Sequence, residues 1–215
     1  MGRGTFFTFE GIDGSGKSTA IRYLAQELKS QGHEVSLFRE PGGTDVGERV
    51  RELLLQDGPK PLELRAEVLL FAAARAQLVE QCIKPALARG EIVLCDRFRD
   101  STLAYQGYGR GLDVAWLQGL NDYACDNCEI TRTFFLDVEI PTAQARIQER
   151  KDSSNRLDQE AESFMLRVQQ GYRHLAEASA QKSGRRAARI QVIDANRPVE
   201  EVVAQIKQLI EEALA

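Results

Sequence analysis

The sequence predicts an α/β fold built on one parallel sheet. Five short apolar segments, rich in β-branched and aromatic residues, alternate with segments of helical periodicity. These five segments are residues 5–10, 34–38, 92–95, 133–137 and 190–193. Strands that are apolar along their whole length are typical of parallel sheets buried on both faces, with helices on either side. A chain of 215 residues suffices for one sizeable core, so we expect a single domain over residues 1–215.

Helical periodicity places the helices between these strands and after the last one. They are predicted over residues 17–32, 46–55, 61–89, 113–123, 141–149, 159–179 and 199–214. The intervening segment 150–158, RKDSSNRLD, is charged and has no apolar stripe, which predicts a surface loop.

Composition argues against several classes of partner. The net charge is −4 and there is no run rich in Lys or Arg, so a nucleic-acid partner is not expected. No apolar stretch approaches the ~20 residues of a membrane span, and the N-terminus lacks a signal-peptide layout. We expect a cytoplasmic protein with no membrane association. Four cysteines in such a chain favour reduced thiols.

Cys125 and Cys128 form a CxxC pair that could in principle hold a metal or act in redox chemistry. Zinc would need a second pair or histidines, and both histidines lie far away in the sequence. We favour an ordinary loop near a helix end.

The strongest motif lies between the first strand and the first helix. It matches GxxxxGK[ST] and consists of Gly11, Ile12, Asp13, Gly14, Ser15, Gly16, Lys17, Ser18 and Thr19. Glycines let backbone N–H groups turn toward phosphates, and the helix N-terminus adds positive potential. Lys17 would reach the β and γ phosphates, and Ser18 would offer its hydroxyl to Mg²⁺. A glycine-rich turn without a ligand is the alternative, which the strand-to-helix setting disfavours.

Charged residues follow the other strands. In an open α/β sheet ligands gather at the carboxyl ends of the strands, and Arg39, Asp96, Arg97 and Asp137 all occupy such positions. Asp96 stands where a carboxylate supports Mg²⁺, directly or through water. Arg97 beside it suits a second phosphate, as a nucleoside monophosphate acceptor would provide. A strand that merely ends in an Asp–Arg pair is the alternative.

Five sequence blocks together resemble bacterial thymidylate kinases. They are FEGIDGSGKST, FREPGGT, LLFAAARAQLVEQCIKPAL, CDRFRDSTLAYQG and VIDANRP, which occur in the family's order between residues 5 and 198. The resemblance implies a P-loop kinase fold with a five-stranded parallel sheet of order 2-3-1-4-5 and a mobile lid at about residues 146–158. It also implies transfer of the γ-phosphoryl of Mg·ATP to dTMP, and a homodimer.

The resemblance further assigns roles on the dTMP side. Asp13 resembles the acidic residue near the 3′-hydroxyl, and Arg39 resembles a contact to the phosphate. Phe71 resembles the ring that stacks on thymine, and Arg75 the donor to its O4. Because residues i and i+4 share a helix face, Phe71 and Arg75 point together. Without the resemblance, Phe71 would be taken for a core aromatic.

In the segment after Arg97, the resemblance places Thr102 near the thymine N3 and Tyr105 beneath the deoxyribose, where a ring leaves no room for a 2′-hydroxyl. Gln106 joins the same predicted site. On the ATP side, Arg197 in the loop 194–198 is predicted to border adenine. Each of these residues would otherwise pass for an ordinary loop or turn residue.

The catalytic arginines are predicted to come from the lid. Members of the family carry a basic residue either within the phosphate loop or in the lid, and here the loop has none between Gly11 and Gly16. The segment after the fourth strand holds several, of which Arg150 and Arg156 are the predicted pair, acting with Lys17 and Arg97. A solvated charge run is the alternative.

Two other functions remain open from the residues alone. A kinase of the same fold could act on another nucleoside monophosphate, a deoxynucleoside or a small metabolite, although REPGG and FAAAR disfavour it. A GTPase-like switch would need an NKxD motif, which the sequence lacks.

Overall fold

The computed structural model describes residues 4–55, 62–149, 162–184 and 188–214. It contains one sheet of five parallel strands in the order β2-β3-β1-β4-β5, as expected. The strands are β1 (Thr5–Glu10), β2 (Val35–Arg39), β3 (Ile92–Asp96), β4 (Arg132–Asp137) and β5 (Ile190–Asp194). Each predicted strand is found, with its ends shifted by no more than one residue.

Helices connect the strands. The first six are α1 (Lys17–Ser30), α2 (Asp45–Leu55), α3 (Leu64–Leu78), α4 (Lys84–Ala88), α5 (Arg99–Thr102) and α6 (Val114–Cys125). They are followed by α7 (Ile140–Gln148), α8 (Glu162–Ser183) and α9 (Val199–Leu214). None of the described helices is both long and apolar enough to cross a bilayer.

Alternation along β1 assigns its side chains to the two faces of the sheet. Phe7 and Phe9 pack with Leu24 of α1 and Ile206 of α9 in the larger core cluster. Phe6 faces the other way and packs with residues of α3 and its continuation. Because successive strand residues point to opposite faces, this period of two is what a sheet covered on both sides requires.

The prediction that all five strands are buried on both faces was wrong for the two edges. The central strands β1, β3 and β4 are almost wholly buried, but Leu37 on β2 and Val192 on β5 are half exposed. An edge strand has a neighbour on one side only, so helices cover it less completely.

The helix predicted over 61–89 is interrupted by a π-helical turn. Residue 61 lies outside the described residues, α3 begins at Leu64, and Val79–Ile83 forms the wider turn before α4. There the N–H of Lys84 bonds to the carbonyl of Val79, five residues back. Pro85 follows directly, and since proline lacks an N–H and crowds the preceding turn, a widened turn accommodates it.

A second π-helical segment, Leu103–Gly109, follows α5 and was not predicted. It packs closely against α8: a Cβ on Gly109 would come within 2.8 Å of Phe164, and one on Gly171 within 2.7 Å of Tyr108. Two glycines therefore permit the contact that carries Tyr105 and Gln106 toward the carboxyl edge of the sheet.

Candidate active site

The phosphate loop has the backbone that its motif predicts. Gly14 and Gly16 adopt φ values of 80° and 92°, which side chains with a Cβ rarely tolerate. At Gly14 a Cβ would also approach the carbonyl oxygen of Ala143 to 2.3 Å. Helix α1 then begins with no side-chain cap and no acidic residue in its first turn. Its first backbone N–H groups can therefore donate to an anion.

Lys17 folds back over this loop. Its Nζ donates to the carbonyls of Gly11 and Ile12 at 3.0 and 2.9 Å and to Ser15 Oγ at 3.3 Å. Burial, and after it the positive charge of Arg97, lowers the pKa of Lys17 to about 8. A phosphate anion would replace these carbonyls as the partner of a charged amine and stabilise its protonated form.

Ser18 and Asp96 meet as a metal site would need. Ser18 Oγ donates to Asp96 Oδ2 at 2.6 Å, across the gap between α1 and the end of β3. A hydroxyl and a carboxylate are hard oxygen ligands, which suit Mg²⁺, and they lie beside the loop that would hold the phosphates.

Arg97 lies opposite the phosphate loop and is tied to it. Its backbone has φ 67°, which turns the chain sharply as it leaves β3. The guanidinium donates to Asp13 Oδ1 at 2.9 Å, to the Gly11 carbonyl at 2.9 Å and to the Tyr105 hydroxyl at 3.0 Å. Burial is the largest single effect and opposes its charge, but the surrounding groups, Tyr105 and Asp13 first, together outweigh burial and raise the pKa of Arg97.

A cavity opens next to Arg97. It gathers most of the residues predicted to hold the acceptor nucleotide; those lining it are Asp13, Phe71, Arg75, Arg97, Thr102, Tyr105 and Gln106. The residues come from the phosphate loop, α3 and the segment after β3, which are far apart in the sequence but meet at the carboxyl edge of the sheet.

The guanidinium of Arg75 is fully engaged by protein groups. It is 1% exposed, and Glu40 accepts from its Nε at 2.9 Å and its Nη2 at 2.6 Å. Nη1 donates to Thr102 Oγ1 at 3.0 Å and to Asn121 Oδ1 at 2.6 Å, and Nη2 also reaches the Phe98 carbonyl at 3.2 Å. Arginine has five N–H donors, so each has an acceptor here. Donation to a base O4 stays a prediction, and it would have to share one of these hydrogens.

Arg39 does not line this cavity. Its Nη2 pairs with Glu48 at 2.8 Å and its Nη1 donates to the Pro41 carbonyl at 2.9 Å. Arg51 on α2 lines the cavity instead and donates to the same carbonyl at 3.1 Å. The phosphate contact of Arg39 stays a prediction, and Arg51 is a cation that sequence reasoning missed because nothing local marks it out.

Other members of the cavity are held by polar contacts beneath it. Gln106 is 4% exposed and donates from Nε2 to Glu67 Oε1 at 3.0 Å. Phe71 is half-buried on the cavity wall, so its ring is neither wholly a core residue nor wholly exposed. Burial raises the pKa of Tyr105, which stays a neutral phenol.

A second cleft borders the opposite side of the phosphate loop. Gly14, Gly16, Arg146 and Arg197 line it. Arg146 on α7 reaches the Gly14 carbonyl at 3.5 Å, and Arg197 pairs with Asp194 at 3.2 Å. The predicted catalytic residues Arg150 and Arg156 lie outside the described residues, as does the predicted lid beyond residue 149.

The CxxC cysteines lie away from both clefts' phosphate-binding groups. Cys125 and Cys128 are buried thiols, neither of them in a disulfide, in the core cluster that also contains Phe6 and Phe98. Burial raises the pKa of Cys125 to about 12, which keeps it a thiol. Among the described residues no group of three or more His, Cys, Asp or Glu is placed to hold a metal ion.

Glu10 is a further residue of this region that was not predicted from the sequence. This residue ends β1 with no exposed surface, and its carboxylate accepts from Phe98 N at 2.8 Å, Ser101 Oγ at 2.6 Å and Tyr172 OH at 2.8 Å. Burial first, and then the nearby charge of Asp100, raises the pKa of Glu10 to about 7. A charged residue at the carboxyl end of an apolar strand was the signal that could have revealed it.

Two clefts border the phosphate loop at the carboxyl edge of the sheet, and arginines line both of them. This arrangement is that of a P-loop phosphotransferase, which brings a phosphoryl donor and an acceptor together. Comparison with known proteins narrows the class. The family model described as Thymidylate kinase matches residues 9–206. The chain belongs to the thymidylate kinase family.

Individual relatives agree with this assignment. The chain is 48% identical over 212 residues to a thymidylate kinase of Desulfovibrio desulfuricans, covering 96% of this chain and 94% of that one. It is 44% identical over 206 residues to one of Syntrophotalea carbinolica, covering 94% and 92%. A crystal structure of thymidylate kinase from Ehrlichia chaffeensis superposes with a TM-score of 0.77 at 33% identity, covering 97% of this chain and 100% of that one.

Glu10 gives stability a pH dependence. Its pKa of about 7 in the folded chain lies above the ordinary value of 4.5, so the folded state holds the proton more tightly than the unfolded state. The contribution to stability is full below pH 4.5 and is lost as pH rises through about 7. Between pH 5 and pH 8 we expect the free energy of unfolding of the wild type, relative to Glu10→Gln, to fall by roughly 2 kcal/mol.

Urea unfolding of both chains at several pH values measures this difference. Asp100→Asn is a useful comparison, because removal of that neighbouring charge should lower the pKa of Glu10 and shift the fall to lower pH. A difference between wild type and Glu10→Gln that stays constant from pH 5 to pH 8 would contradict the assignment.

Proposed function

We propose that this phosphotransferase moves the γ-phosphoryl group of Mg·ATP to dTMP, giving dTDP and ADP, a step in dTTP biosynthesis. The observation that carries the proposal is the cavity lined by Phe71, Thr102 and Tyr105 beside Arg97, directly across from the phosphate loop. The family of the chain supports the same reaction, since its named relatives are thymidylate kinases.

The phosphate loop holds the donor. Lys17 exchanges its carbonyl partners for the β and γ phosphates, while the N–H groups at the start of α1 bind the remaining oxygens. Such transfer relies on positioning and electrostatic stabilisation more than on covalent chemistry. Arg197 borders the cleft on the far side of the loop, where adenine would lie.

Ser18 and Asp96 fit Mg²⁺, because their oxygens already lie 2.6 Å apart beside the loop. When bound, the ion would neutralise charge on the phosphates being transferred. Holding the ion is the only role that this proposal gives to Ser18 and Asp96.

The acceptor is recognised by its base, sugar and phosphate separately. Phe71 offers a ring to thymine, and Thr102 with Gln106 offers polar groups to its edge. Tyr105 and Asp13 both line the cavity, where Tyr105 would lie beneath the sugar and Asp13 would accept from its 3′-hydroxyl. Arg97 and Arg51 supply positive charge for the phosphate, with Arg39 as a further candidate.

We expect turnover on dTMP to exceed turnover on AMP, CMP, GMP and thymidine in a coupled assay of ADP release. Phe71→Leu should raise KM for dTMP about tenfold, since stacking of a base on an aromatic ring contributes about 1–3 kcal/mol, and should leave KM for ATP unchanged. Tyr23→Leu, an exposed aromatic on α1, is the control. Equal turnover on AMP, or on thymidine in place of dTMP, would assign the chain to another acceptor.

We further propose that Arg150 and Arg156, in a lid over residues 146–158, neutralise charge on the transferred phosphoryl. The phosphate loop supplies no cation besides Lys17, and Arg146 at the end of the described segment already reaches Gly14. A lid over both nucleotides would also exclude water.

The Arg150→Ala/Arg156→Ala double variant should lose more than tenfold in kcat, a barrier increase above ~1.4 kcal/mol. Arg22→Ala, which removes an exposed arginine of α1, should not change kcat. A double variant within tenfold of wild type would remove these arginines from the mechanism and leave Arg146 as the cation to test.

Homodimerisation through α2, α3 and α6 is a third proposal. α3 packs against both α2 and α6, and each of the three helices exposes a large apolar side chain: Leu53, Leu69 and Trp116, at 62%, 53% and 49%. Exposed apolar surface of this kind is typical of stable subunit interfaces.

Sedimentation at micromolar concentration should give twice the mass of the chain. Leu69→Glu should shift it to the monomer, whereas Val192→Glu, on the opposite edge of the sheet, should not. A wild type that sediments only as a monomer would exclude the dimer. ATP and dTMP are otherwise the proposed partners, in a cytoplasmic protein with no nucleic-acid or membrane role.

A further inference from the structure

A buried carboxylate lies directly behind the arginine that faces the acceptor cavity. Glu10 ends β1 and is fully buried, and its Oε1 accepts from the backbone N–H groups of Phe98 and Ser101 at 2.8 and 3.3 Å. These two groups belong to the turn that follows Arg97, whose φ of 67° makes that turn unusual for a residue with a side chain. Glu10 therefore fixes the backbone that aims Arg97.

The other carboxylate oxygen organises two hydroxyls. Ser101 Oγ and Tyr172 OH donate to Glu10 Oε2 at 2.6 and 2.8 Å, and their own oxygens lie 2.9 Å apart. Each hydroxyl has one hydrogen, so both hydrogens point toward the carboxylate. Their lone pairs are left for Arg97 Nη1, which lies 3.3 Å from Ser101 Oγ and 3.4 Å from Tyr172 OH.

We propose that Glu10 and Tyr172 are positioning residues that preset the Arg97 guanidinium for the acceptor phosphate. Neither side chain lines the acceptor cavity, so each acts through Arg97. The inference rests on the proposed function, in which Arg97 binds the phosphate of dTMP.

The hydroxyls that Glu10 orients belong to a larger set of groups that hold the Arg97 guanidinium. Nη2 is held from the cavity side by Asp13 and Tyr105, while Nη1 meets the two hydroxyls and the Gly11 carbonyl. Loss of the hydroxyl contacts leaves Nη1 with the Gly11 carbonyl alone, so the guanidinium is held less firmly. A guanidinium that is already oriented loses less entropy when it binds an anion, so its contribution to affinity depends on that preset orientation.

Two conservative substitutions test the chain of contacts. Tyr172→Phe removes one hydroxyl and keeps the buried ring. In Glu10→Gln the amide oxygen must keep the two backbone N–H groups, so the NH₂ group faces the hydroxyls and donates to them. One hydroxyl can then donate to the other across 2.9 Å, but the second hydrogen turns toward Arg97 and opposes its charge. Glu10→Gln should therefore have the larger effect.

Calorimetric titration of dTMP and of thymidine at pH 8, where Glu10 is ionised because its pKa is about 7, separates positioning from folding. Tyr172→Phe should weaken dTMP binding roughly three- to tenfold, the magnitude of one hydrogen bond, and Glu10→Gln by more than tenfold. Binding of thymidine, which has no phosphate for Arg97, should change less than twofold in both. In an Arg97→Ala background the same substitutions should have no further effect on dTMP.

Thr8→Val is the matched control. Thr8 lies on β1, the same strand as Glu10, and its hydroxyl contacts that of Thr133 on β4 at 2.7 Å, away from Arg97. Loss of this buried contact should lower stability without changing dTMP binding. Equal losses for dTMP and thymidine, unchanged dTMP binding, or full additivity with Arg97→Ala would each overturn the positioning role. A wild type that binds no dTMP would overturn the proposed function and this inference together.

Discussion

Two arginine guanidiniums lie at the carboxyl edge of the sheet, Arg75 buried and Arg97 mostly buried, and the acceptor side of the site depends on how they are paired. An unpaired buried charge costs several kcal/mol, so each must be met by carboxylates and oriented dipoles. Glu40 meets Arg75 from the end of β2, and Asp13 meets Arg97 from the phosphate loop. These pairs tie together segments that the chain order separates by tens of residues.

The two arginines differ in how readily a ligand could replace the partners of their N–H groups. All five N–H groups of Arg75 are engaged. Its partners lie just after β2, on α5 and α6 and in the turn after β3, so Arg75 is a fixed part of the cavity wall. Arg97 is partly exposed and lies next to the cavity with a mixture of charged and hydroxyl partners. Hydroxyls and carbonyls are weaker partners for a cation than a phosphate dianion, so Arg97 is the one of the two whose charge the site can use.

Local patterns predicted the strands and the phosphate loop, because glycine spacing and strand ends fix these within a few residues. They also assigned Ser18 and Asp96 to one predicted metal site, although not the hydrogen bond between them. Long-range choices were less accessible. Arg39 and Arg51 both donate to the Pro41 carbonyl, and Arg39 also pairs with Glu48. Which of the two lines the cavity depends on the placement of these partners, which periodicity does not encode. The π-helical segment Leu103–Gly109 depends on close packing against α8, which is a tertiary effect that overrides local propensity.

Helix α8 contacts the carboxyl ends of two strands, β1 beside the acceptor cavity and β4 beside the second cleft. Tyr172 reaches Glu10 at the end of β1, while Gln169 donates to Asp137 Oδ1 at 2.8 Å and to the Val138 carbonyl at 2.6 Å at the end of β4. Because Gln169 and Tyr172 are three residues apart, they share one helix face and both contacts form together. A displacement of α8 along its axis would break both sets at once. A single rigid helix therefore fixes the position of Arg97 relative to the end of β4, which borders the second cleft.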